Sequence, residues 1–213
     1  MKFTWSHAVL AMALIVAGTW WWSRDSGSTG TPSDGTRVGC PLPPLALAGQ
    51  APQQTRPPAS MPAFNRDGYR LTPLAGFSIE ARVLSRKDYR SGRESELSPT
   101  DLALGWGRMS EDAVLSQLQI SQSGRWYHYR WRDSPPLPPT EMVRNSANMH
   151  MIPADRSVAR ALNAVGKDSR VRIDGWLVEA QSGDGWRWRS SLSRDDSGNG
   201  ACELVYVCAL TTH

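Results

Sequence analysis

A chain of 213 residues with 24 Lys and Arg against 20 Asp and Glu fits one folded domain with appendages. Its positive excess is small, with 20 basic and 18 acidic side chains in residues 64–213, which argues against a nucleic-acid-binding face. Three cysteines without a Cys-x-x-Cys pair, and four scattered histidines, give no metal-site spacing.

The first predicted element is a membrane span. Residues 3–22 contain no Asp, Glu, Lys or Arg, and twenty helical residues measure about 30 Å, the thickness of a bilayer's hydrocarbon core. Trp5 stands near one end and Trp20, Trp21 and Trp22 at the other, where amphipathic rings favour the interface. Lys2 precedes the span, so the reading is a single-pass inner-membrane anchor with its N-terminus cytoplasmic and the rest periplasmic. A cleaved signal peptide is the alternative. Val16-Ala17-Gly18 would serve as its cleavage site, leaving Thr19 and three tryptophans as an apolar new N-terminus. Both readings export the domain.

Residues 23–63 hold eight of the fifteen prolines and few large apolar side chains. Such a segment buries too little apolar surface to offset its ordering entropy, and it reads as a Pro/Gly/Ser-rich linker. Residues 64–213 remain as the folded periplasmic domain.

Within it, residues 76–84 alternate. Phe77, Ile79, Ala81 and Val83 share one face of a predicted strand. Residues 85–98 are charged and read as a loop, and residues 101–107 are a short apolar run. Ser110 is expected to cap a short helix with Glu111 and Asp112 in its first turn. Ser123-Gly124 turns the chain into an aromatic strand, residues 126–131. Thr140 is a candidate cap for another short helix. Asp155 caps a better one, residues 156–165, stopped by Gly166. Residues 171–180 are the clearest strand, with Gly175 marking a bulge or tight bend. Turns at residues 183–185 and 197–200 lead on to residues 186–192 and 202–210, so the last third reads as a three-stranded meander. The expected fold is α+β and mainly β: a small curled sheet or OB/SH3-like barrel with two or three short helices.

Cys202 and Cys208 stand six apart on one predicted strand. Such residues lie about 20 Å apart, beyond disulfide reach. Cys40 can reach either one, or pair between chains.

Residues 101–107, 121–126, 146–155 and 186–203 resemble those of an uncharacterised family of proteobacterial proteins with one N-terminal membrane span. The resemblance covers most of residues 76–208. It implies export and a one-domain reading, and it carries no activity.

Few residues point to chemistry. Met149-His150-Met151 has the ligand types that suit copper, but in an extended segment His150 points away from both methionines, so no metal or other cofactor is expected. His128 and His150 are the only candidate acid–base groups of the domain's interior sequence, with Asp101 or Asp155 as carboxylate partners. No Gly-x-Ser-x-Gly elbow or His-Glu-x-x-His accompanies them. Trp186 and Trp188 share a strand face, with Arg187 and Arg189 opposite. Aromatic and arginine-bearing strands stack on sugars or partner side chains. The expected function is a membrane-tethered periplasmic binding or scaffold domain for an envelope protein or glycan partner. The alternative is an envelope hydrolase built on a His/carboxylate/hydroxyl site.

Overall fold

The computed structural model describes residues 40–43, 45–47, 49–57, 61–193 and 201–213. The predicted span at residues 3–22 and the turn at residues 197–200 lie outside the described residues. Among the described residues, no helix is long and apolar enough to cross a membrane.

Among the described residues, ten strands and four short helices follow one another. They are β1 (Gln53–Thr55), β2 (Phe64–Arg66), β3 (Tyr69–Asp88), α1 (Glu94–Leu97), β4 (Thr100–Gly105), a 3₁₀ turn (Gly107–Ser110) and α2 (Asp112–Leu115). Then come β5 (Gln119–Ser123), β6 (Trp126–Arg130), α3 (Pro139–Arg144), β7 (Ser146–Pro153), α4 (Arg156–Ala164), β8 (Arg170–Gln181), β9 (Arg187–Arg189) and β10 (Glu203–Thr212). The architecture is mainly β, as expected, with a curled sheet and more helices than anticipated.

β3 is the spine. Its residues 70–82 pair antiparallel with β8 and its residues 82–88 with β4. Register shifts at Pro73/Ala75 and Val83/Ser85 are bulges that bend the strand and let it serve both neighbours. β4 pairs antiparallel with β7, β7 parallel with β10, and β10 antiparallel with β8. Alternation then sorts the side chains. Phe77, Ile79, Val83, Leu102, Leu104, Met149, Met151, Ile173 and Val205 fill the inside of the curl, sealed by Val158 and Leu162 of α4. These two are four residues apart and so lie on one helix face. Asp155 caps α4 as expected, accepting from the Ser157 and Val158 amides.

The outer face is covered too. Leu71, Trp176, Val178, Leu204 and Tyr206 pack beneath Met61, Phe64, Trp186 and Trp188. Leu84, Ala103, Met109 and Met142 pack beneath the β5–β6 hairpin.

Several expectations are corrected. Residues 85–88 continue β3 because Arg86 is used structurally: it donates to the Leu162 and Val165 carbonyls at the end of α4 and pairs with Asp88. Ser110 and Thr140 cap nothing. α2 starts after Glu111 and α3 after Pro138, both without a side-chain cap. The last third is no meander, since β9 and β10 both pair with β8, at residues 179–181 and 171–177 respectively.

Gly175 matches the expected irregularity. A Cβ there would collide with the Tyr206 carbonyl oxygen. The bulge itself lies in β10, where Val207 faces Gly175, Ala209 faces Asp174, and Cys208 is the extra residue.

That bulged Cys208 bonds to Cys40, 168 positions away, with Cα atoms 5.6 Å apart. The folded unit therefore extends upstream of residue 64, to Cys40 among the described residues. β1 pairs with residues 76–78 of β3, the Trp176 indole donates to the Pro41 carbonyl at 3.0 Å, and Ala46 is fully buried. The composition of residues 40–57 conceals this because a covalent bond and a few hydrogen bonds hold the strap, not apolar mass.

Candidate functional site

The site lies on the outer face of β4 and β7. Leu102, Leu104, Met149 and Met151 point inward, so Asp101, Asn148 and His150 point outward. Asp101 and His150 are directly opposed across the two strands. The Asp101 carboxylate is fully buried. An isolated buried carboxylate would be costly, and three partners answer it. Arg125 Nη1 lies 2.8 Å from Oδ1 and Asn148 Nδ2 donates to Oδ2 at 3.1 Å. His150 Nδ1 stands 2.9 Å from Oδ1, off the axis of a hydrogen bond.

Arg125 reaches this carboxylate from the tip of the β5–β6 hairpin. Gly124 and Arg125 both have positive φ, 55° and 67°, the geometry of a two-residue type I′ turn. A left-handed arginine is strained, and such strain persists only where the surroundings fix it. Here they do. The Arg125 amide donates to the Tyr89 hydroxyl at 3.1 Å. Its carbonyl accepts from Asn148 at 2.9 Å and lies 3.9 Å from the Cys202 sulfur. Its guanidinium also donates to the Ser98 carbonyl at 3.0 Å.

The same guanidinium starts an aromatic row. It lies 4.1 Å over the Tyr89 ring and 5.3 Å from the Trp188 ring. The Trp188 ring lies 4.8 Å from His150 and 6.1 Å from Trp186. Trp186 meets Tyr69 edge-on at 5.4 Å and carries Arg93 at 5.0 Å. Two loops thus meet here, the one after β3 (Tyr89, Arg93) and the one after β8 (Trp186, Trp188). Both tryptophans are half-buried, so each keeps part of its surface open to solvent.

Arg187 and Arg189 point the other way, as their parity requires. Both reach Glu179, at 2.9 and 2.7 Å. Burial pushes the Glu179 carboxyl up, but the hydrogen bonds from Arg189 and Arg187 outweigh it and hold the group below its ordinary range. A lowered folded pKa means that this carboxylate adds stability above the unfolded value, lost as pH falls through the folded one. Glu179→Gln is therefore expected to shrink the fall in thermal midpoint between pH 7 and pH 3, measured by circular dichroism. An unchanged acid dependence would show that the two arginines do not stabilise the ionised form.

The remaining candidates separate. His128 is exposed on β6, with its Nε2 3.2 Å from the Ser123 hydroxyl. Asp155 is engaged at the α4 N-terminus. Met149 and Met151 are interior while His150 is on the outer face, so the three cannot share an ion. Among the described residues no cluster of three or more His, Cys, Asp or Glu side chains is placed to hold a metal. Arg125, Tyr89 and Glu179 belong to the site and were not singled out from the sequence. Arg125 carries one local signal: it occupies a turn position where Gly or Asn is the usual residue. No protein-family profile, curated protein or solved structure matches the chain.

Proposed function

We propose that the chain is a membrane-tethered periplasmic binding domain, anchored in the inner membrane by residues 3–22, whose partner is an envelope protein or glycan. The observation that carries this reading is the row of Tyr89, Trp188, Trp186 and Tyr69 at the meeting of two loops, stiffened by Arg125 and Arg93. Rigid half-exposed tryptophans are the side chains that dominate binding hot spots. Export is supported by the Cys40–Cys208 disulfide, since such bonds persist in oxidising compartments. The fold reading beneath it is a barrel of the OB kind. It is supported by the pairing order β3–β4–β7–β10–β8 with β8 back on β3, by the parallel β7–β10 pair, and by α4 between β7 and β8 in the chain. That fold binds ligands on the face of its second and third strands and on the flanking loops, which here are β4, β7 and the loops that carry the aromatic row.

Charge favours a neutral ligand. Arg93, Arg125, Arg187 and Arg189 are each paired with a carboxylate, from Asp184, Asp101 and Glu179. Sugar rings stack on aromatic faces without needing an unpaired cation, so a glycan fits this surface better than a polyphosphate. Full-length protein in detergent micelles is expected to co-sediment with purified peptidoglycan sacculi, and Trp188→Ala is expected to weaken that binding at least tenfold. The thermal midpoint is measured beside it, because a truncated tryptophan also costs stability. Loss of fold without a separable loss of binding would assign the row to the core.

A second reading, an envelope hydrolase, rests on the Asp101–His150 contact. Were it correct, His150→Ala would abolish the cellular role in a protein that stays folded. The binding-domain reading expects that role to be retained.

A further inference from the structure

Six large apolar side chains are exposed among the described residues, and three of them, Leu42, Leu45 and Leu47, fall within six residues of the strap. Single exposed leucines are ordinary, but a cluster calls for a cause. These three are held outward. Pro43 and Ala46 between them are buried. The Cys40–Cys208 disulfide, the Trp176 indole on the Pro41 carbonyl and the Ala46 amide on the Ser78 hydroxyl pin the strap to the sheet. Pro43 and Ala46 are three apart, as are Leu42 and Leu45, so the buried pair and the exposed pair recur at the same interval. Leu42, Leu45 and Leu47 are 54%, 53% and 61% exposed.

Charge and chain length identify what covers them. Residues 40–55 contain no Asp, Glu, Lys or Arg, and the first charge, Arg56, is positive. Such a surface meets no electrostatic opposition from anionic headgroups. Residues 23–39 separate the apolar run at residues 3–22 from Cys40, and seventeen residues span at most about 60 Å. The strap is the first part of the folded unit reached from that run.

We infer that Leu42, Leu45 and Leu47 rest in the interfacial layer of the phospholipid bilayer that residues 3–22 cross. This rests on the anchor reading of those residues. Apolar side chains sink into the headgroup boundary with a binding strength set by the area they bury, so the strap seats the domain on the membrane.

The test uses full-length protein in vesicles of phosphatidylethanolamine and phosphatidylglycerol. Photoreactive p-benzoylphenylalanine replaces Leu45 in one sample and Leu192, another exposed leucine, in a second. Matched thermal midpoints establish that both variants fold. After irradiation, a phospholipid adduct is expected by mass spectrometry at position 45, several-fold more abundant than at position 192. An adduct to a second copy of the chain, equal lipid labelling at both positions, or no lipid adduct at position 45 overturns the inference. Flotation after alkaline carbonate separates the two claims. Protein that floats without a lipid adduct at position 45 leaves the anchor standing and removes the strap contact. Protein that is released removes both.

Discussion

Cys40→Ser or Cys208→Ser is expected to lower the thermal midpoint by 10 °C or more. The bond closes a loop of 168 positions, and loop-closure entropy for that length stabilises by about 5 kcal/mol at room temperature, at the upper end of the 2–5 kcal/mol found on removing native disulfides. For a folded unit of this size each kcal/mol moves the midpoint by about 2–4 °C. The loss has a structural route. Without the bond, the strap is left with non-covalent contacts such as the Trp176–Pro41 hydrogen bond, the Ala46–Ser78–Asp174 chain of hydrogen bonds and three β1–β3 positions. Reduction of the wild type should reproduce the shift, and Cys202→Ser should not, because Cys202 lies outside the disulfide. A large oxidised-to-reduced shift that vanishes in Cys202→Ser would mean that a different pair is bonded in solution.

The strap shows why part of this fold was hidden in the sequence. Patterning reads burial from large apolar side chains, and residues 40–57 bury Pro43, Ala46 and a backbone carbonyl instead. Alternation did reveal β8 and the middle of β3, where the inward residues Val171, Ile173, Phe77 and Ile79 recur at every second position. The Asp155 cap was legible because it is a local device with its own chemistry, and the hairpin turn was legible to within one residue, since the two turn residues are Gly124 and Arg125 and Ser123 is still paired in β5. Partner choice is not local. β10 runs parallel to β7 and antiparallel to β8, and nothing in residues 203–212 distinguishes that from a hairpin with β9. Arg86 reads as a loop residue until α4, some 76 positions onward, supplies the carbonyls that it satisfies.

The candidate site divides in the same way. Shared parity placed Trp186 and Trp188 on one face, and the half-buried ring pair agrees with that. Their supports come from elsewhere in the chain: Tyr89 from the end of β3, Arg125 from a hairpin tip and His150 from β7. Asp101 is opposite His150 because β4 and β7 pair in one register. A shift of a single residue would send the carboxylate to the wrong face of the sheet. Pairing register and hairpin docking assemble the site, and both are tertiary facts.

Arg125→Ala should therefore be the most damaging single change at the site. It leaves Asp101 fully buried without its cation, with Asn148 donating to it, the Tyr89 hydroxyl within its reach and His150 Nδ1 beside it. Breaking a buried pair by removing one partner typically costs about 3–5 kcal/mol, because the remaining charge is uncompensated. For this domain that is a fall in midpoint of about 10 °C. Alanine also takes a left-handed position without the contacts that offset its strain, and it withdraws the guanidinium from Tyr89 and Trp188. If the uncompensated carboxylate is the main loss, adding Asp101→Asn to Arg125→Ala should recover part of the stability, so that the two changes cost less together than the sum of each alone. If the hairpin tip matters mainly as packing, the second change should add to the first. Binding follows the same logic, since the row from Tyr89 to Trp188 is organised around that one side chain. Arg125→Lys keeps the charge but not the planar fork that spans Asp101 and Ser98 and stacks on Tyr89. It should restore less than half of the lost midpoint and leave partner binding weak, whereas full rescue by lysine would reduce the role of Arg125 to its charge.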